Sequence, residues 1–130
     1  MSDYAIVNLL ELEDGGAPVE GLEVRLGRKH LGSRDLGVSH FRYAPEVRSL
    51  SHAHREQEEA YLVVAGSGRI RLDDVVREIA RWDVIRVAPE VVRAFEAGPD
   101  GLEIVAIGGP KPEGGDGMGV DSPWPDQPSA

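Results

Sequence analysis

A run of short apolar segments between residues 37 and 108 constrains the fold more than any other feature of the chain. Turns rich in Gly, Pro and Asp separate the segments, and each has about the length of a β-strand. The predicted strands are residues 37–44, 49–54, 60–65, 69–72, 75–80, 83–88, 91–97 and 102–108. Segments 60–65 and 102–107 are nearly unbroken apolar runs, whereas Arg69 and Arg71 fall at polar-face positions. This pattern predicts an antiparallel closed barrel with a wet outer face, and periodicity alone leaves an open sandwich as the alternative.

Composition limits the size of the fold and excludes some partners. The 130 residues are enough for one modest domain, with 41% hydrophobic and 28% charged residues. A net charge of −9 without a block of Lys or Arg offers no basic surface to nucleic acid or to an anionic membrane. The sequence contains no cysteine, which excludes disulfides and thiolate metal sites, so a metal would depend on His and carboxylate ligands.

The two ends of the chain differ from this central stretch. Residues 1–35 contain two weaker strand patterns, 5–12 and 22–26, which we expect to pack on a barrel formed by residues 36–109. The start of the chain has neither a basic beginning nor a long apolar run, so we expect no signal peptide, no membrane span and a cytoplasmic protein. Residues 110–130 are rich in Pro, Gly and Asp and are predicted to form a tail without regular elements, in which Trp124 is the only large apolar anchor.

The residues that carry chemistry are concentrated in the stretch SHAHREQEEAY, residues 51–61. One residue separates His52 from His54, and positions i and i+2 of a strand point to the same face, so the two imidazoles should lie side by side. Glu59 begins the next apolar strand, from which its carboxylate can reach the same face. Two imidazoles and one carboxylate on rigid strands form a ligand set suited to Fe(II), Mn(II), Ni(II), Co(II) or Zn(II). The alternative is a polar turn in which these side chains are solvated.

The spacing of these residues resembles the first motif of the cupin superfamily. In that motif His-x-His is followed by Glu after three or four residues and by Gly after six more, as in His52, His54, Glu59 and Gly66. The resemblance covers residues 37–108. It implies an antiparallel jelly-roll, or double-stranded β-helix, barrel of the compact bacterial type, with a divalent metal near its mouth and a homodimeric assembly.

The second cupin motif is much weaker in this chain. When residues 83–89 are aligned with the strand of the second motif, Trp82 stands at the motif's first glycine and Arg93 at its histidine, which is the fourth metal ligand of the family. In the first motif, Glu46 also replaces a glycine. A guanidinium is permanently cationic and does not coordinate a metal. Arg93 is therefore expected either to hold a substrate carboxylate or phosphate beside a three-ligand metal, or to pair with Glu59 in a site that has lost its metal.

Three further residues are candidates for contact with a small-molecule ligand. His40 lies in the strand before the first motif and is expected either to line the pocket or to lie at the surface. Tyr43 and Arg86 are predicted to line the barrel interior, and Tyr61 is expected in the core.

Two functions fit these features. The first is a metal-dependent enzyme acting on a small anionic molecule, with the ion serving as a Lewis acid or an oxygen-activating centre. For such an enzyme the cupin resemblance implies dioxygenase, isomerase, epimerase, cyclase or decarboxylase chemistry. The second is a non-catalytic ligand-binding module whose metal is structural or absent, and the weak second motif favours it. The sequence contains no Ser-His-Asp arrangement, P-loop or dinucleotide-binding glycine pattern.

Overall fold

Antiparallel strands account for most of the regular structure in the computed structural model, which describes residues 3–125. The strands are β1 (Leu22–Leu26), β2 (Gly37–Tyr43), β3 (His52–His54), β4 (Glu59–Leu72), β5 (Val75–Ala80), β6 (Val84–Val87), β7 (Arg93–Gly108) and β8 (Gly117–Gly119). A short helix, α1 (Arg28–Leu31), and a 3-10 turn (Leu9–Glu11) are the helical elements of this part of the chain. Neither has the length or the apolar character needed to cross a membrane. The predicted all-β fold is confirmed.

The long strand β7 holds the sheet together. From Leu102 to Gly108 it pairs with β2 along one edge and with β4 along the other. Its first half pairs with the end of β4 and meets β3 at Arg93. β1 extends the sheet from β2, while β5 and β6 extend it from β4. The sheet curls around a buried core that includes Tyr43, Tyr61, Val63, Ile70, Phe95, Leu102 and Ile104.

Glycines bend β4 and β7 at points where the sequence suggests that strands end. Each of these strands joins two segments that the sequence predicts as separate: 60–65 with 69–72, and 91–97 with 102–108. The backbone of Gly66 has a φ of 72°, and a Cβ atom placed there would lie 2.1 Å from the carbonyl oxygen of Gly101. Only glycine tolerates both this conformation and this close approach. The glycine that closes the first motif is therefore required where the two strands bend together.

Two predictions about the ends of the chain are wrong. Residues 5–12 do not form a strand, because the side chain of Asn8 accepts a hydrogen bond of 2.9 Å from the backbone N–H of Leu10 and caps the 3-10 turn instead. Residues 110–130 are not without regular elements, because β8 pairs with β3. Residues 126–130 of that predicted tail lie outside the described residues.

Trp124 anchors the C-terminal end of the described chain on the outer face of the barrel. Trp124 is only 6% exposed, and the guanidinium of Arg48 lies 4.5 Å from its ring centroid, with that of Arg69 at 5.6 Å. Both distances are in the range of a cation–π interaction. Glu96 accepts hydrogen bonds from both arginines and fixes their positions. Trp124 therefore packs on the barrel, as expected of an apolar anchor.

Three non-glycine residues, Glu46, Asp73 and Trp82, have backbone conformations that favour glycine. Glu46 has a φ of 67° and Trp82 a φ of 76°, both in the left-handed region. Glu46 and Trp82 are two of the three positions at which the chain lacks a glycine of the motifs that it resembles; the third, Glu90, has no positive φ. A residue other than glycine adds strain at each of the first two positions.

We predict that Glu46→Gly raises the free energy of unfolding by about 0.5–1 kcal/mol. Relief of left-handed strain is worth about 1–2 kcal/mol, and the entropy that glycine gains in the unfolded chain offsets part of it. The Glu46 side chain is exposed, so little packing is lost. Urea denaturation of the wild type, Glu46→Gly and the control Glu46→Ala measures the effect. If Glu46→Ala stabilises as much as Glu46→Gly, relief of strain is not the cause.

Candidate metal centre

Three potential metal ligands meet in the barrel interior. β3 places the rings of His52 and His54 on one face, with their centroids 5.3 Å apart, and Glu59 is the first residue of β4. The Nε2 atoms of His52 and His54 lie 3.8 Å and 3.0 Å from Glu59 Oε1. One ligand atom from each residue lies within 4.8 Å of the other two. The structure therefore brings the three predicted ligands together in an arrangement that can hold a divalent ion.

The orientation of the His54 ring fits a metal ligand. Its Nδ1 lies 2.9 Å from Asp116 Oδ1, and because an ionised carboxylate only accepts hydrogen bonds, Nδ1 carries the proton. In the neutral ring, Nε2 then presents its lone pair to the space between the three ligands. Nε2 is buried and makes no aligned hydrogen bond, although Glu59 Oε1 is 3.0 Å away. An unsatisfied buried nitrogen costs free energy, and coordination of a metal would satisfy it.

Glu59 supplies a negative charge in a mostly buried position. Its side chain is 14% exposed, and the hydroxyl of Tyr61 donates a hydrogen bond of 2.5 Å to Oε1. Burial by itself raises the pKa of Glu59, but electrostatic interactions with the two histidines and the hydrogen bond from Tyr61 outweigh it and hold the pKa well below its usual range. Tyr61 is in the core, as the sequence predicts, and it also orients the carboxylate.

Two cavities meet at His52 and Glu59. The inner cavity, of about 290 Å³, lies within the barrel and has mainly apolar walls to which Tyr43 contributes. The mouth cavity, of about 720 Å³, has more polar walls and includes Lys29 and Lys111. Because His52 and Glu59 line both cavities, a molecule in either one can reach the ligand set.

The structure brings Tyr43 to this site and places His40 and Arg86 elsewhere. Tyr43 faces the interior, and because side chains alternate along a strand, His40 of the same strand faces outward. His40 Nε2 lies 3.0 Å from Glu103 Oε2 on that outer face. Arg86 is exposed on β6, where its Nε lies 2.9 Å from Glu58 Oε2. Neither His40 nor Arg86 lines the two cavities, so the expectation that they contact a ligand there is not met.

Solved structures with low sequence identity share this architecture. The polyketide cyclase RemF from Streptomyces resistomycificus gives a TM-score of 0.75 at 18% identity, with 93% of this chain and 89% of that chain covered. A variant of oxalate decarboxylase from Bacillus subtilis gives 0.76 at 15% identity over 88% of this chain, which spans 32% of that larger chain. An RmlC-like cupin from Shewanella frigidimarina gives 0.67 at 22% identity, with 88% and 96% covered. The chain has the cupin fold. No model of a protein family matches the sequence, and no curated protein does.

Arg93 stands where the cupin resemblance places a fourth metal ligand, directly opposite His52 in the pairing of β3 with β7. Its side chain is fully buried, and its guanidinium donates hydrogen bonds to the carbonyl oxygens of Ala88 at 3.0 Å and Pro89 at 3.2 Å. Within residues 3–125, it makes no ion pair with Glu59 and lines neither cavity. The expected pairing of Arg93 with Glu59 is therefore not seen in this part of the chain. Arg93 instead fastens the turn between β6 and β7.

Asp116 is a residue of this candidate site that the sequence does not predict. Its side chain is 3% exposed, and its Oδ2 accepts hydrogen bonds from the backbone N–H groups of Glu56 at 2.7 Å and Gln57 at 2.9 Å. Burial raises the pKa of Asp116, but these hydrogen bonds and the one to His54 outweigh it and lower the pKa to about 2. Asp116 lies 62 residues beyond His54 within the sequence GGDG, which gives no local sign of a buried carboxylate.

We predict that His54 makes the stability of the metal-free protein fall as pH rises. The interaction with Glu59 raises the pKa of His54 above 6.5, burial opposes this, and Asp116 raises it further. The folded state thus holds the proton more tightly than the unfolded state. This stabilisation is complete below about pH 6.5 and is lost as the pH rises through the folded pKa.

Urea denaturation between pH 5.5 and pH 9 after treatment with a chelator measures this effect. His54→Gln should flatten the alkaline fall in the free energy of unfolding. His30→Gln, which changes an exposed histidine on α1, should leave the fall unchanged. Parallel curves for the wild type and His54→Gln would show that the ring does not gain a proton on folding.

Proposed function

We propose that this cupin is a metal-dependent enzyme that acts on a small anionic molecule. The observation that carries the proposal is the convergence of His52, His54 and Glu59 beside two cavities of ligand size. Two imidazoles and one carboxylate suit Fe(II), Mn(II), Ni(II), Co(II) or Zn(II), and three protein ligands leave coordination positions open for a substrate. Two of the similar solved structures, the cyclase and the decarboxylase, are named as enzymes, which agrees with this choice.

The residues around the ligands would prepare the site for catalysis. A divalent ion bound there would supply a Lewis acid or an oxygen-activating centre. Asp116 fixes the tautomer and orientation of His54, and Tyr61 fixes one oxygen of Glu59. The apolar walls of the inner cavity keep water away from the part of a substrate that lies inside the barrel.

A ligand-binding module without catalysis is the second candidate function. Arg93 favours it, because a buried cation near the ligand set opposes the binding of another cation. Elemental analysis of the protein as purified separates the two. A redox-active or Lewis-acidic metal in a one-to-one ratio supports the enzyme, and a metal-free protein that still binds carboxylates supports the module.

Recognition of the anion is assigned in this proposal to Lys29 and Lys111. Both line the mouth cavity, and neither forms an ion pair within residues 3–125. Arg28 also lines this cavity without an ion pair in this part of the chain, but its guanidinium donates hydrogen bonds to the carbonyl oxygens of Arg34 and Gly109. Cations without an ion pair at one cavity are notable in a chain with a net charge of −9. Arg93 is not available for this role because backbone carbonyls engage its guanidinium. An amphipathic anion would place its apolar part in the inner cavity and its charge near the lysines.

We predict that the chain binds Ni(II) or Mn(II) with a one-to-one ratio and that His52→Ala weakens the binding at least about tenfold, because one of three ligands is lost. Isothermal titration calorimetry measures the affinity. His30→Ala, which removes an exposed histidine outside the site, is the matched control and should bind as the wild type does. Equal affinities of His52→Ala and the wild type would mean that the ion binds elsewhere.

We predict that the double variant Lys29→Ala/Lys111→Ala binds benzoate about 5- to 30-fold more weakly than the wild type. The loss corresponds to about 0.5–1 kcal/mol for each exposed charge pair. Titration of the metal-free protein with benzoate, followed by NMR, measures the contribution of the two lysines without any contribution from metal coordination. Arg86→Ala, which removes an exposed cation that lines neither cavity, is the control. If Arg86→Ala weakens binding as much as the double variant does, the effect is one of net charge.

We also propose that the protein is a cytoplasmic homodimer. The outer face of the sheet carries an apolar strip in which Val84, Leu62 and Val105 are paired neighbours on β6, β4 and β7. Val84 and Ile107 are exposed on this face. Burial of such a strip against a second copy of the chain would remove apolar surface from water.

A further inference from the structure

The C-terminal segment, residues 110–125, is joined to the strand that carries two of the three metal ligands. β8 pairs with β3 at all three positions, His52 with Gly119, Ala53 with Met118 and His54 with Gly117. β7 pairs with β3 only at His52. Most of the ladder that holds the two histidines in place is therefore made with the C-terminal segment.

Two further contacts fasten this segment beyond β8. The buried guanidinium of Arg71 donates hydrogen bonds to the backbone oxygen of Ser122 at 2.7 Å and to its hydroxyl at 2.8 Å. Trp124 packs beneath Arg48 on the outer face of the barrel. The segment is therefore held at both ends, by Asp116 at the ligands and by Trp124 on the barrel wall.

We propose that the C-terminal segment is part of the metal centre: Asp116 positions His54 for the ion, and docking of the segment and metal binding stabilise each other. This inference rests on the proposed metal site. One oxygen of Asp116 fixes the His54 ring, and the other fixes the turn that leads from β3 to Glu59 through the N–H groups of residues 56 and 57. A single carboxylate thus links all the elements that carry ligands.

The coupling follows from linkage. If the docked segment holds His54 in the geometry that the ion needs, the ion binds more tightly to the docked form. The ion must then favour docking by the same factor, because coupling between two binding equilibria is reciprocal. Asp116 acts through His54 and Glu59 and is a positioning residue.

The first test is the affinity of the full-length chain for Ni(II). Asp116→Ala should raise the Kd by about 10- to 100-fold, the usual effect of removing a hydrogen-bonded partner of a metal ligand. Asp121→Ala is the matched control, because it removes an exposed aspartate from the same segment and changes the net charge equally. Trp124→Ala should also raise the Kd, by less than Asp116→Ala, because it loosens the segment but keeps the contact with His54.

A spectroscopic measurement separates positioning from general stability. Co(II) in the wild-type site should give visible absorption bands that change in position or intensity in Asp116→Ala at saturating metal, because the orientation of the His54 ligand changes. A role limited to stability would lower the melting temperature of Asp116→Ala and leave both the Ni(II) affinity and the Co(II) spectrum unchanged. If Asp116→Ala does not fold, Asp116→Asn, which is nearly equal in size, replaces it in both measurements.

The reciprocal effect is measured on the wild type by amide hydrogen exchange. Ni(II) should slow exchange at Gly117–Gly119 more than in β5, which pairs with the far half of β4 and not with β3. Equal slowing in the two strands would overturn the coupling. Wild-type affinity in both Asp116→Ala and Trp124→Ala would overturn the inference while leaving the metal site intact. A wild type that binds no Ni(II), Mn(II) or Co(II) would overturn the proposed function itself.

Discussion

The antiparallel pairing of β4 with β7 is the constraint on which the rest of the structure depends. These are the longest strands in residues 3–125, and glycine lets them bend together: a Cβ atom at Gly68, as at Gly66, would lie 2.1 Å from a carbonyl oxygen of β7. Because β7 bends, one half pairs with β2 and the start of β4, and the other half reaches β3. Glu59 at the start of β4 is thereby brought against the histidines of β3. The geometry of the ligand set follows from where these two strands bend.

Buried charge is the second constraint, and the chain meets it by giving each buried ionic group several hydrogen-bonding partners. Glu59 and Asp116 share the His54 ring between them, one at each nitrogen. Arg93 differs, because backbone carbonyls of one turn accept hydrogen bonds from its terminal nitrogens, whereas its Nε has no partner within residues 3–125. A buried ionic group without a partner lowers the free energy of unfolding. Loss of any one side chain of the set would therefore leave its partners buried and unpaired, at that cost. The contacts that fix the geometry of the site therefore also make the stability of the protein depend on the protonation of His54.

How much of this could be predicted from the sequence depends on whether the signal is local. The sequence predicts that His52 and His54 share one face and that Glu59 returns to that face, because both features are properties of adjacent strands. The structure shows both. Gly66 was recognised by its spacing, although its role is to bend β4 rather than to end a strand. Asp116 could not be found, because a short strand in a Gly-rich segment is stabilised by pairing with β3 and not by its own pattern. The direction of the Arg93 guanidinium could not be predicted either, because it depends on carbonyl oxygens of an irregular turn, for which the sequence has no periodic pattern.

The net charge around the three ligands determines how a proton, a metal ion and the proposed substrate affect one another's binding. Two carboxylates, Glu59 and Asp116, and one guanidinium, Arg93, leave one net negative charge when both histidines are neutral. Without a metal, a proton on His54 cancels that charge, in agreement with the raised pKa of this ring. A divalent ion in place of the proton leaves one net positive charge, which a ligand with a single negative charge would neutralise. In the proposed site, Arg93 at the position of a fourth ligand would supply a positive charge instead of a coordinating nitrogen, and that charge would favour an anionic ligand at the open positions of a bound ion.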